Sequence, residues 1–196
     1  MYKSYLRYFV GFFVTIVLII ILIILLFGGG KKSDTNSSQN TNSDQPTSLT
    51  DIMNPDSAVR MTIAGNVRAN QQYFEIQITS TSDQNTLQII QGYENNVIAT
   101  KTFSNNMSAY QTFLLALQNA GYMQGDNNPE LADDRGYCPL GQRYIFEIIE
   151  SGKVVQRYWS SSCGKPKTYL GSTGLTTQLF EMQIPEYNDL TSDVDF

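Results

Sequence analysis

The residues able to do chemistry are few, and histidine is not among them. That absence removes Ser-His-Asp and Cys-His catalysis, imidazole acid–base chemistry and every His-ligated metal site. Two cysteines are present, Cys138 and Cys163. They lie almost symmetrically about Ser151-Gly152, a hairpin-turn dipeptide, so closing the hairpin brings its outer ends together as a disulfide requires. A closed loop of about 26 residues contributes roughly 3 kcal/mol by the chain-entropy estimate. A redox pair would be spaced Cys-x-x-Cys and a structural zinc needs four ligands, so the pair is read as structural.

Three other motifs carry weaker signals. Ser162-Cys163-Gly164-Lys165 has the Ser-x-x-Lys spacing of a nucleophile and its base. That spacing needs a helix, which Gly164 and Pro166 disfavour, so a polar loop is the reading. Asp126-Asn127-Asn128-Pro129-Glu130-Leu131 imitates the first half of a calcium loop, but Leu131 and Tyr137 stand where glycine and glutamate belong. Asp133 and Asp134 could share a cleft with Glu147 or Glu150 as a carboxylate dyad. Acidic residues are common enough here to make that coincidence cheap. No metal site and no cofactor is expected. An exposed aromatic platform is the remaining possibility, from Tyr137, Tyr144, Tyr158, Trp159 and Tyr169 with Arg143 and Arg157 nearby. Aromatic and arginine side chains anchor interfaces and stack on sugars. The rival reading is that alternate members of this set fill the core. A forced choice of binding surface falls on Tyr137, Arg143, Tyr158 and Trp159.

The elements that must position these residues follow from periodicity. Ala58–Val67, Tyr73–Ser80, Thr86–Gly92 and Val97–Phe103 read as short strands between turn-rich breaks. In the second, Phe74, Ile76 and Ile78 alternate with Glu75, Gln77 and Thr79, the pattern of a sheet with one wet face. Hairpin-length breaks make a four-stranded antiparallel meander the economical arrangement. A helix is predicted over Met107–Ala120, with Tyr110, Phe113, Leu114 and Leu117 on one face, Asn105 or Asn106 as cap and Gly121 as its stop. Gln124–Gly136 reads as a polar surface loop. Arg143–Glu150 and Lys153–Ser160 form a hairpin, predicting that Glu150 faces Lys153, Ile148 meets Val155 and Tyr144 meets Trp159. Leu175–Met182 reads as a short helix halted before Pro185. The fold class is therefore α+β, a mostly antiparallel sheet with one main helix and a short C-terminal one.

Ahead of this domain lies Phe9–Phe27, FVGFFVTIVLIIILIILLF, nineteen residues without a charge. At 1.5 Å per residue it matches the ~30 Å hydrocarbon core of a bilayer. It is longer than the apolar region of a signal peptide and ends in glycines and lysines, so a retained single-pass anchor is expected rather than a cleaved leader. A pilin-type leader fails, since Ile16 stands where the mature pilin carries glutamate. Residues 28–50 hold one apolar side chain, Leu49, and cannot offset their ordering entropy. A tether of that length separates its ends by roughly 25 Å. The expected organisation is a 1–27 segment with the transmembrane helix, a 28–55 disordered linker, a 56–190 α+β domain and a 191–196 tail. Lysines and arginines flank the span on both sides and barely decide its direction. Residues 51–196 hold nine Lys/Arg against sixteen Asp/Glu, and an acidic domain with paired cysteines suits the outside. The expected placement is the cytoplasmic membrane with the N-terminus inside. With a formal charge of −5 and a pI near 4.6, nucleic-acid binding is not expected.

Several phrases occur together: Val59-Arg60-Met61-Thr62-Ile63-Ala64-Gly65, Gly92-Tyr93, Ala109-Tyr110-Gln111-Thr112-Phe113-Leu114, Cys138-Pro139-Leu140-Gly141-Gln142-Arg143-Tyr144, Trp159-Ser160-Ser161-Ser162-Cys163 and Gln183-Ile184-Pro185-Glu186-Tyr187. In these the chain resembles a group of small membrane-anchored proteins of Saccharibacteria-type (candidate phyla radiation) bacteria, over most of residues 55–190 and in the anchor-and-tether layout. The resemblance implies a bacterial cell-surface setting and brings no activity, ligand or site residue. The functional expectation is a non-enzymatic binding or interaction module, membrane-anchored and extracytoplasmic, whose partner is another envelope protein or a wall polymer. The alternatives are a structural accessory subunit of a membrane complex, with the span as interface, and a carboxylate-based envelope hydrolase.

Overall fold

A computed structural model describes residues 48–52 and 56–196. The expected anchor and most of the expected linker lie outside them. Among the described residues no helix is long and apolar enough to cross a membrane.

The strands are β1 (Ser57–Ala64), β2 (Phe74–Ser80), β3 (Gln84–Gln91), β4 (Asn96–Ser104), β5 (Arg143–Glu150) and β6 (Lys153–Ser161). They form one sheet in the order β4-β3-β2-β1-β5-β6, antiparallel at every pairing. The first four strands make the expected meander. The β5–β6 hairpin adds to the free side of β1, so β1 becomes a central strand and the chain must cross the sheet between β4 and β5. The helices α1 (Met107–Asn119), α2 (Thr173–Glu181) and α3 (Tyr187–Leu190) complete the α+β fold.

Alternation along β1 decides the rest. Val59, Met61 and Ile63 point to one face and join Ile76, Ile78, Leu87, Phe146 and Ile148 in the main core. Tyr110, Phe113, Leu114 and Leu117 of α1 cover this face, the four positions that helical spacing selects. A fully buried Leu or Phe contributes about 1.5–3 kcal/mol in such a core. The Asn106 side chain accepts from the Ala109 N–H and starts α1. At the other end Gly121, at φ +84°, donates to Gln118 O while Tyr122 N–H donates to Leu117 O, the paired bonds that close a helix onto a left-handed residue.

The structure departs from the sequence expectations in four places. First, the β5–β6 register holds at Glu150–Lys153 but slips by one residue beyond it, so Ile148 faces Gln156 and Tyr144 faces Ser160. Val155 is the extra residue of a bulge there, and Trp159 consequently pairs with Ile145. Second, α2 starts two residues early, capped by the Ser172 hydroxyl, and α3 follows as a further turn of helix. Third, the final residues are packed rather than free: Val194 and Phe196 rest on the core and Asp195 pairs with Arg68 at 2.7 Å. Fourth, Leu49, inside the stretch expected as linker, is fully buried in the main core. The described residues fall in one compact unit.

Cys138 and Cys163 are bonded, with Cα atoms 5.7 Å apart. The bridge ties the segment before β5 to the residues just after β6, as the hairpin geometry requires. Replacing both cysteines by serine is expected to lower the unfolding free energy of the compact unit by about 3 kcal/mol in denaturant titrations.

Candidate functional site

The face of the sheet turned away from the helices is not a solvated polar surface. It carries three cross-strand rows fixed by the register. Thr79, Arg60, Glu147 and Arg157 form one, Gln88, Gln77, Thr62, Ile145 and Trp159 the second, and Ile90, Glu75, Ala64 and Arg143 the third. Charges therefore sit in the middle of β1, β5 and β6, where strands above and below would otherwise be apolar. A charge taken from water needs a partner, and each has one. Arg60 Nε lies 2.8 Å from Glu147 Oε2, and Arg157 Nε lies 3.6 Å from Glu147 Oε1.

The segment 124–142, of which 124–136 was expected as a surface loop, supplies the missing anion. Asp134 is 5% exposed and its two oxygens meet Arg157 and Arg143, the latter at 3.3 Å. The loop backbone is pinned as well. The Trp159 indole donates to Leu131 O at 2.6 Å, and Arg157 donates to Ala132 O at 2.9 Å. Tyr137 stacks on Trp159, with ring centroids 5.3 Å apart. A Cβ at Gly125 would collide with the Tyr158 ring, which explains a glycine where the loop leaves the core. Long-range side chains in β6 hold this segment, and no local pattern in its own sequence encodes them.

The network continues on the other side of Arg143. Arg143 donates to the Tyr73 hydroxyl at 3.3 Å, and that hydroxyl donates to Glu75 Oε1 at 2.5 Å. Burial, and then the bond to Glu75, hold the Tyr73 phenol well above its ordinary range. It stays a donor at neutral pH, and its contribution to stability is present below the ordinary tyrosine range and lost as the pH climbs beyond it. Tyr73 also stacks on Tyr93, ring centroids 4.2 Å apart at 18°. Seven side chains thus run across the open face in sequence: Glu75, Tyr73, Arg143, Asp134, Arg157, Glu147 and Arg60. From the opposite face the Tyr122 hydroxyl reaches the carbonyl oxygens of Arg60 and Glu147, 2.9 Å from each.

Because the loop covers only the β5–β6 half, the remaining open face forms a basin of about 820 Å³. Its floor holds Thr62, Gln77 and Gln88, its far rim Tyr93 and Asn95, and its wall Asp134 with the arginines.

The residues singled out from the sequence fall in different places. Arg143 lines the basin. Trp159 is fully buried, and Tyr137, from the loop, packs against it. Tyr158 lies in the main core on the helix face, with its hydroxyl 3.1 Å from Asn127 Oδ1. Tyr158 and Trp159 thus belong to opposite faces, as successive strand residues must, and form no common platform. Of the four carboxylates considered as a dyad, Asp134 and Glu147 come together around Arg157, while Asp133 is exposed and pairs with Arg135. Glu150 faces Lys153 at the hairpin end. All four oxygens of Asp134 and Glu147 face a guanidinium. Ser162 accepts from the Gln142 N–H in a turn without helix, and the Asp126 carboxylate accepts from the Asn128 N–H. Sequence reading missed Arg60, Tyr73, Glu75 and Tyr93. The available signal was a lone arginine in the centre of an apolar β1 and a lone glutamate in the centre of an apolar β5.

The chain matches no protein-family model and no curated protein by sequence.

Breaking a fully buried pair costs about 3–5 kcal/mol, and water reaching Arg60 and Arg157, whose side chains are 26% and 33% exposed, holds the cost for Glu147 to the low end. Glu147→Gln is therefore expected to lower the unfolding free energy by about 3 kcal/mol, whereas Asp133→Asn, on the exposed pair, leaves the denaturation midpoint in place. Equal behaviour of the two variants would contradict the placement of Glu147 in the network.

Proposed function

We propose that this protein is a membrane-anchored, extracytoplasmic binding module of a bacterial cell envelope, presenting the open-face basin to its ligand. The observation that carries the reading is the basin itself: a concave polar site of about 820 Å³ beside a partly buried network of ion pairs. Ligand sites are concave, largely pre-formed and furnished with a few placed polar groups, and this one has all three properties. The charge-free run Phe9–Phe27 supports the anchor, and the polar stretch that follows supports a tether. The disulfide supports an oxidising compartment. Binding is favoured over turnover because the carboxylates of Asp134 and Glu147 are engaged by arginines, which leaves them as pairing groups in the wall.

Two measurements test the reading. Intact mass of membrane-extracted protein, alkylated without reductant, is expected to show an uncleaved N-terminus and no alkylated cysteine. Two alkylated thiols would place the domain in a reducing compartment and overturn the topology. The full chain is also expected to retain a component of detergent-washed envelope fractions, and Arg143→Ala to release it. Failure to retain any envelope component would overturn the binding role.

A further inference from the structure

Resting on that reading, we infer that the basin takes an uncharged carbohydrate chain, with one sugar ring stacked on Tyr93. The first observation is the state of Tyr93. It is 51% exposed, yet it is fixed at three points. Its N–H donates to Asn70 Oδ1 at 2.8 Å, its hydroxyl donates to Arg68 O at 2.9 Å and accepts from Arg68 N–H at 3.2 Å, and one ring face lies on Tyr73. An exposed tyrosine ordinarily loses rotamer freedom when a ligand arrives. Here that ordering has already happened in the folded protein, so stacking on the second ring face carries little further entropic cost. A flat apolar surface with polar edges is the partner such a ring accepts, and the C–H face of a pyranose has that form.

The second observation is charge. The four guanidiniums lining the basin stand against four carboxylates among the described residues: Arg60 and Arg157 meet Glu147, Arg157 and Arg143 meet Asp134, Arg135 meets Asp133, and Glu75 reaches Arg143 through the Tyr73 hydroxyl. No surplus cation is left to recruit a phosphate or sulfate polymer. The floor offers the carboxamides of Gln77 and Gln88 and the hydroxyl of Thr62, groups that donate and accept together as sugar hydroxyls do.

The third observation gives the length of the ligand. A second depression of about 570 Å³ adjoins the basin and shares Gly92, Asn95 and Val97 with it. It adds further carboxamides, from Asn70, Gln71, Gln91 and Asn96, and one carboxylate, Glu94, which disfavours an anionic chain. β4 is exposed over most of its length, so the track is open at that edge. Two adjoining polar depressions, the larger with a fixed aromatic at its rim, suit several consecutive sugar rings better than a single one.

The test is titration of the full chain in nanodiscs with hexamers of glucose and of N-acetylglucosamine, with dextran sulfate alongside. At least one neutral hexamer is expected to bind, with Tyr93→Ala weakening it by about tenfold or more and Gln88→Ala weakening it measurably. Circular dichroism and unfolding of both variants show that the loss is local. Binding of dextran sulfate alone, or neutral binding untouched by both variants, would overturn the inference. Retention of an envelope protein without binding of either hexamer would overturn it while leaving the binding module standing. No retention of any envelope component would remove both.

Discussion

The structure depends on buried charge on the open face of the sheet. Arg60, Glu147 and Arg157 occupy one cross-strand row, and Arg143 stands two residues before Ile145 on the same side of β5. Three of these positions carry the same sign on the adjacent strands β1, β5 and β6, and Glu147 alone cannot neutralise three guanidiniums. Desolvating unpaired ions costs several kcal/mol each, more than a marginally stable domain can absorb. Asp134 adds a second carboxylate from the connecting segment, and Glu75, reached through Tyr73, completes the balance. Such pairs add little net stability compared with well-packed apolar residues. Their consequence is specificity: the 124–142 segment has one place to go, because only there does its carboxylate meet two arginines.

That placement makes the site. The loop seals the β5–β6 half of the face with its Tyr137 stacked on Trp159 beneath, and the disulfide fixes its far end beside the hairpin. The β1–β3 half stays uncovered, and the boundary between the two halves is the basin. The helix face supplies rigidity from below. Tyr122 follows the α1 cap directly and lodges its hydroxyl against the carbonyls of Arg60 and Glu147, so the end of the helix and the charged row are positioned together.

Much of this was legible in the residues and some of it was not. Helical spacing picks out Tyr110, Phe113, Leu114 and Leu117, because burial of one helix face is a local constraint. Alternation in Phe74–Ser80 and the symmetric cysteines likewise express geometry over short distances. Periodicity tells which face a residue occupies but not which strand lies next to it. The joining of β5 to β1 was therefore invisible, and the Arg60–Glu147 pair with it. A single bulged residue, Val155, exchanged the partners of Tyr144 and Trp159, since one added residue reverses the faces of everything beyond it. The loop read as solvated because its composition is polar. Its order comes from Trp159 and Arg157, about 25 residues further on.

The central claim is that Asp134 holds the loop down and thereby builds the basin. Hydrogen exchange across residues 126–137, read together with the emission of Trp159, the protein's one tryptophan, tests it directly in Asp134→Asn. The account predicts that the loop amides lose protection and that the Trp159 emission shifts to the red, while amides of β1 and β2 keep theirs. Unchanged loop protection and unchanged emission in that variant would contradict it, and the loop would then owe its position to the disulfide and the Trp159 contacts alone.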